Sequence, residues 1–176
     1  MKGNWKLWAL GAAIGGQLLV LAGELIGAVY PLWTGQAVRL QVEPVDPRSL
    51  FRGNYARLGY EIGNVRVSPS DVESGLRKGE IVYVGLEEDA QGVMRFADVT
   101  LDQPQKGVFI RGRVSRVDSD SGRLNVRYGI EAYFLPRERA LEMEARLRQE
   151  KAIAKVMLAR SGKAALVEVL SSAQPD

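Results

Sequence analysis

Residues 7–33 form one continuous apolar stretch whose strongly polar members are Gln17 and Glu24. About 20 helical residues cross the hydrocarbon layer of a bilayer, so this segment is long enough to span one. Trp5, Trp8, Tyr30 and Trp33 bracket the stretch where interfacial aromatic belts sit, and Lys2 and Lys6 precede it. A basic start on the near side predicts a cytoplasmic segment over residues 1–6 and a transmembrane helix over 7–33. Everything from Gln36 onward is then expected outside the cytoplasm. A cleaved signal peptide has a shorter apolar centre, about 7–15 residues, followed by a small-x-small site. The length here favours an uncleaved anchor, and "LVLAGE" lacks the cysteine a lipoprotein site needs.

The helix carries its own contact signal. Gly11 and Gly15 form one Gly-x-x-x-Gly pair, Gly23 and Gly27 another, and Gly16, Gly23 and Gly27 share a face. Small faces let a second helix approach closely, and a polar group at membrane depth usually faces protein. With Gln17 and Glu24 on a neighbouring stripe, this surface predicts docking on a multi-pass membrane protein or on a second copy of the chain. An alternative leaves Glu24 wet at the outer interface.

Composition removes many chemistries from the rest of the chain. Among 176 residues there is no Cys and no His, which excludes disulfides, thiol nucleophiles, imidazole bases and zinc sites with N or S ligands. The 24 Lys and Arg are scattered among 21 Asp and Glu for a net charge of +3, which is no nucleic-acid signature. No phosphate-cradling glycine motif is present, and neither a cofactor nor a metal is signalled.

From Gln36 the pattern changes to alternation, the period of half-buried strands. "QAVRLQVEPV" reads as a first strand. In "ARLGYEI", Ala56, Leu58, Tyr60 and Ile62 share one face of an expected strand, with Tyr55, Arg57 and Glu61 on the other. Residues 81–86 and 94–101 read as a hairpin, and a second hairpin turns at "DSDSG". Its return arm places Leu124, Val126, Tyr128, Ile130, Ala132 and Phe134 inward, alternating with Asn125, Arg127, Gly129, Glu131 and Tyr133. After Pro136, Ala140, Met143, Leu147 and Ala154 fall at helical spacing, predicting a helix of about four turns. A hairpin around Ser161 and Gly162 follows, then a frayed tail over 171–176. The expectation is an α+β chain: a transmembrane helix and a β-rich domain over 36–170, antiparallel and barrel-like or sandwich-like, with one main helix.

Candidate sites are few. "EEDAQG" and "DSDSG" offer clustered carboxylates but not the ligand spacing of a calcium loop, and they read as solvated turns. A Ser/Lys hydrolase of the signal-peptidase kind would need a serine beside a desolvated lysine. Ser49 is badly placed for this, and Lys78, Lys106, Lys151, Lys155 and Lys163 read as surface or turn residues. A binding surface is more plausible: Arg52, Asn54 and Tyr55 with Glu131 and Tyr133 on the outward side, where Glu131 would take charge-assisted hydrogen bonds from Arg52 or Arg111. The plainer reading is an ion pair and tyrosine contacts that stiffen a sheet.

"RGNYARLGY" resembles the signature of the GDYXXLXY family of membrane-anchored bacterial proteins. Gly53, Tyr55, Leu58 and Tyr60 match the family letters, and "VDPRSLF" and "YGIEAYFLP" are also similar to the family. Asn54 stands where the family has Asp, which retains a turn-forming side chain but cannot act as an acid or base. The resemblance implies a bacterial inner-membrane protein with a periplasmic domain and suggests multi-pass membrane proteins as partners. Together these readings predict a non-enzymatic accessory or interaction subunit. The alternatives are a sensor of an extracytoplasmic ligand or envelope polymer, and less readily the Ser/Lys hydrolase.

Overall fold

The computed structural model describes residues 5–43, 55–67, 76–118, 121–134 and 152–171. Its first element, α1 (Trp5–Thr34), is a single 30-residue helix, long and apolar enough to cross a membrane. Gly35 alone separates it from β1 (Gln36–Glu43). No flexible tether intervenes. The Gly35 amide donates to the Pro31 carbonyl at 2.9 Å, and a β-carbon on Gly35 would stand 2.4 Å from that oxygen and 2.9 Å from the Leu158 carbonyl. Only a residue without a side chain fits between the helix end and the sheet.

The domain is a strand-rich sheet curled into a half-barrel, as an α+β reading requires. Chain order gives β2 (Tyr55–Arg57), β3 (Gly59–Tyr60), a 3-10 turn at Glu61–Gly63, β4 (Asn64–Arg66), β5 (Ile81–Glu88) and β6 (Met94–Thr100). There follow β7 (Val108–Asp118), β8 (Arg123–Arg127), β9 (Ala132–Phe134), β10 (Ala152–Leu158) and β11 (Ala164–Ser171). The main sheet runs β11-β10-β1-β6-β5-β7-β8-β4, with β3 also paired to β1 and a separate ribbon formed by β2 and β9. All pairs are antiparallel except one bridge, where Leu40 of β1 meets Met94 of β6 in parallel. The chain through β3 and the 3-10 turn carries it from β1 to β4 near the other end, which curls the sheet.

Alternation builds the core. Leu40, Val82, Val84, Ile110, Leu124 and Val156 are almost fully buried on the concave face. Gly112 leaves the space that Val126 and Tyr128 occupy, since a β-carbon there would stand 2.2 Å from the Val126 methyl. The sheet buries its apolar face so completely that its only exposed large apolar residues, among those described, are Leu101 and Val167; the others all lie on α1.

Three expectations change. "ARLGYEI" is not one strand but β2, β3 and the 3-10 turn, because the chain leaves β9 at Leu58 to join β1. The return arm does not run straight to Phe134: β8 ends at Arg127, the chain turns at Gly129, where φ is +84°, and the inside-outside parity holds through Ile130 and then changes. Ala132 is exposed and Tyr133 packs against the core, the reverse of the alternation expected for them. Ala154 belongs to β10 and not to a helix, and is fully buried opposite Leu40. The remainder of the expected helix after Pro136 lies outside the described residues.

Candidate functional site

The signature segment is built into the sheet from both sides. Its strand β2 pairs with β9, placing Tyr55 opposite Phe134 and Ala56 opposite Tyr133, so the "YAR" and "AYF" segments do lie side by side. One residue on, the Leu58 amide donates to the Glu131 carbonyl at 2.8 Å. The two buried tyrosines then exchange bonds across the same seam. The Tyr60 hydroxyl donates to the Ile130 carbonyl at 2.9 Å, and the Tyr128 hydroxyl donates to the Ile62 carbonyl at 2.5 Å. Each phenol thus satisfies the backbone beside the other, as buried polar groups require.

Glu131 anchors the turn. Its carboxylate accepts the Tyr128 amide at 2.6 Å and the Gly129 amide at 3.0 Å, holding the two N–H groups that the end of β8 leaves without strand partners. Burial, with the negative Glu131 as a second cause, pushes the pKa values of Tyr60 and Tyr128 well above the usual tyrosine range. Both hydroxyls therefore remain protonated donors at any physiological pH. A cleft of about 380 Å³ beside this seam is lined by Leu58, Tyr60, Asn125, Arg127 and Glu131, among others.

Of the proposed binding cluster, Arg52 and Asn54, with Gly53 of the signature, lie outside the described residues, as does the side chain of Tyr55. Glu131 and Tyr133 do fall next to β2, as expected. Arg111 does not join them: it sits on the convex face of β7 opposite Tyr83, and among the described residues it makes no ion pair with Glu131. Sequence reasoning also missed the exchanged tyrosine bonds, whose only trace was the inward alternation of Tyr60 and Tyr128.

On α1, no atom comes within 4 Å of where a β-carbon would stand on Gly11, Gly15, Gly16 or Gly23. Gln17 and Glu24 are exposed. Gly27 differs, because Lys163 Nζ of the β10–β11 turn stands 3.3 Å from its β-carbon position. The expected contact face is therefore open over most of its length and covered by the domain's own lysine at its far end.

The acidic turn at Asp89 is held by its own backbone. Asp89 accepts the amides of Val93 and Gln91 and the guanidinium of Arg95, which holds its pKa below the usual carboxylate range, the Val93 bond being the largest cause. Arg95 also pairs with Glu61. Among the described residues, no three carboxylates stand together as a metal site would need.

No curated protein and no solved structure matches the chain. The GDYXXLXY protein family matches residues 17–169, from the middle of α1 to near the end of strand β11, and that span takes in the seam just described. A match over most of its length, with Leu58 and Tyr60 of the signature buried in the seam, shows that this chain belongs to the GDYXXLXY family.

Proposed function

We propose that the chain is a membrane-anchored, non-enzymatic accessory subunit: α1 crosses the bacterial inner membrane with its N-terminus in the cytoplasm, docks on a multi-pass membrane protein, and holds the half-barrel against the outer surface. The observation that carries the reading is the contrast in exposed apolar surface. Nearly every exposed large apolar side chain among the described residues lies on α1, so that helix needs lipid or protein around it. The open positions at Gly16 and Gly23 supply a face for a second helix. The non-enzymatic part draws support from a sequence without His or Cys and from what the signature residues do: Leu58 and Tyr60 pack and hold backbone, not substrate.

The test is co-purification of the full-length protein in mild detergent beside Gly16→Leu/Gly23→Leu, which fills the open face without touching the domain. Loss of a multi-pass partner from the variant, with the thermal transition of the domain unchanged, is the expected result. Retention of the same partner by both would remove α1 as the docking element.

A further inference from the structure

The convex face of β7 carries Arg111 and Arg113, both exposed, and Arg127 of β8 stands directly opposite Arg113 in register. Like charges facing each other across an antiparallel pair destabilise it. The β10–β11 turn adds a fourth cation, because the Arg111 amide donates to the Gly162 carbonyl at 2.8 Å and so brings Lys163 against the edge of β7 beyond the end of β8. Arg111, Arg113, Arg127 and Lys163 line one cavity of about 250 Å³, together with Ile81 and Tyr128.

Nothing negative answers them. Among the described residues the lining contains no carboxylate. Glu80, next to Ile81 in sequence, is not part of the lining, and the Glu131 carboxylate is turned onto the amides of Tyr128 and Gly129. The carboxylates in ion pairs there, Glu61, Asp89 and Glu168, are held by Arg95 and Lys155. Arg113 gives one guanidinium nitrogen to the Gly79 carbonyl at 2.6 Å, an uncharged acceptor. In a chain whose net charge is only +3, four cations share one hollow.

The hollow also has a defined depth. Lys163 Nζ lies beside Gly27, two turns before the end of α1, which places it roughly 10 Å back along the helix. A 30-residue helix is about 45 Å long, the thickness of a bilayer with both headgroup layers. With α1 as the anchor, Lys163 stands at the border of the hydrocarbon and the outer headgroup layer, which is about 7 Å deep, and the basin opens into that layer. The anion concentrated there is phosphate, and guanidinium groups meet its oxygens in pairs.

We propose that this basin binds the phosphate of an anionic phospholipid headgroup in the outer leaflet, an inference that rests on the reading of α1 as the membrane anchor. A zwitterionic choline lipid brings its own cation and is disfavoured by the same four residues.

The experiment uses the full chain. Flotation with pure phosphatidylcholine vesicles first tests the anchor. Native mass spectrometry in an uncharged detergent then counts bound phosphatidylglycerol and phosphatidylcholine for the wild type, for Arg127→Gln/Lys163→Gln, and for Lys155→Gln as a control outside the basin. At about fivefold for each cation near a membrane surface, the double variant should lose roughly thirtyfold in phosphatidylglycerol binding. The control and the phosphatidylcholine signal should not move. Equal binding of the two lipids by the wild type, or equal phosphatidylglycerol binding by wild type and double variant, overturns the proposal while flotation leaves the anchor standing. Displacement of the lipid by millimolar inorganic phosphate, with no preference for the lipid, would make the ligand free phosphate and overturn the lipid assignment. Failure to float removes the anchor, and the headgroup site falls with it.

Discussion

At Tyr128 and Gly129 the two sides of one sheet treat polar groups in opposite ways. Inward, the Tyr128 hydroxyl meets the Ile62 carbonyl, Tyr60 returns the bond to Ile130, and Glu131 closes two amides, so each buried polar group has its partner. Outward, a few ångströms of backbone away, Arg113 faces Arg127 with Lys163 and Arg111 alongside and no acid to balance them. The inner side is arranged for stability. The outer side gives up stability for an open field of positive charge, which is what a surface kept for a ligand shows.

Substitutions should separate the two sides by size and by sign. The largest effect belongs to the core: Leu124→Ala, at a fully buried position, should destabilise the domain by about 3 kcal/mol in a urea titration. A loss below about 1 kcal/mol would mean that the concave face is looser than its burial implies. The seam comes next. Tyr128→Phe leaves the Ile62 carbonyl without its donor and should cost about 1 kcal/mol.

The same seam has a pH signature. Because the folded protein holds both tyrosines neutral beyond their ordinary range, their contribution is complete below the unfolded value near 10 and declines as the pH rises above it. Stability should therefore fall more steeply above about pH 10 in the wild type than in Tyr60→Phe/Tyr128→Phe. Parallel curves would show that the phenols do not carry the alkaline loss.

The smallest change is expected outside, with the opposite sign. Arg127→Gln relieves a like-charge pair and should raise stability by a few tenths of a kcal/mol at low salt, a gain that added salt erases. A clear loss of stability would instead make Arg127 a structural residue and blur the contrast between the two sides.

Much of the inner side was legible in the sequence because burial imposes a period of two. Val82 to Leu86, Leu124 to Ile130 and Val156 to Leu158 all show it, and the structure buries the residues it marks. The pattern failed where the backbone stopped being extended. The chain turns at Gly129, at positive φ, and between Ile130 and β9 the parity shifts, so that Ala132 and Tyr133 take faces opposite those expected, while Leu58 divides one apparent strand between two partners. Asn64–Arg66 was passed over because three residues are too few to show alternation. Ala154 followed a helix-forming run and was drawn into it, although pairing with Leu40 decides its conformation. The basin was hidden for another reason. Arg111 and Arg113 are visibly on one side of a strand, but only the fold brings Arg127 and Lys163 to them.

The joint at Gly35 makes the helix and the half-barrel a single lever. With the glycine wedged between the Pro31 and Leu158 carbonyls, a change in the direction of α1 turns β1 with it. If α1 crosses the membrane as proposed, a neighbouring helix that leans on the open face near Gly16 would push on the long arm with residue 35 as the fulcrum. The displacement would then emerge on the other side of the membrane as a rocking of the sheet, so that a lateral push inside the lipid becomes movement of the domain edge outside it.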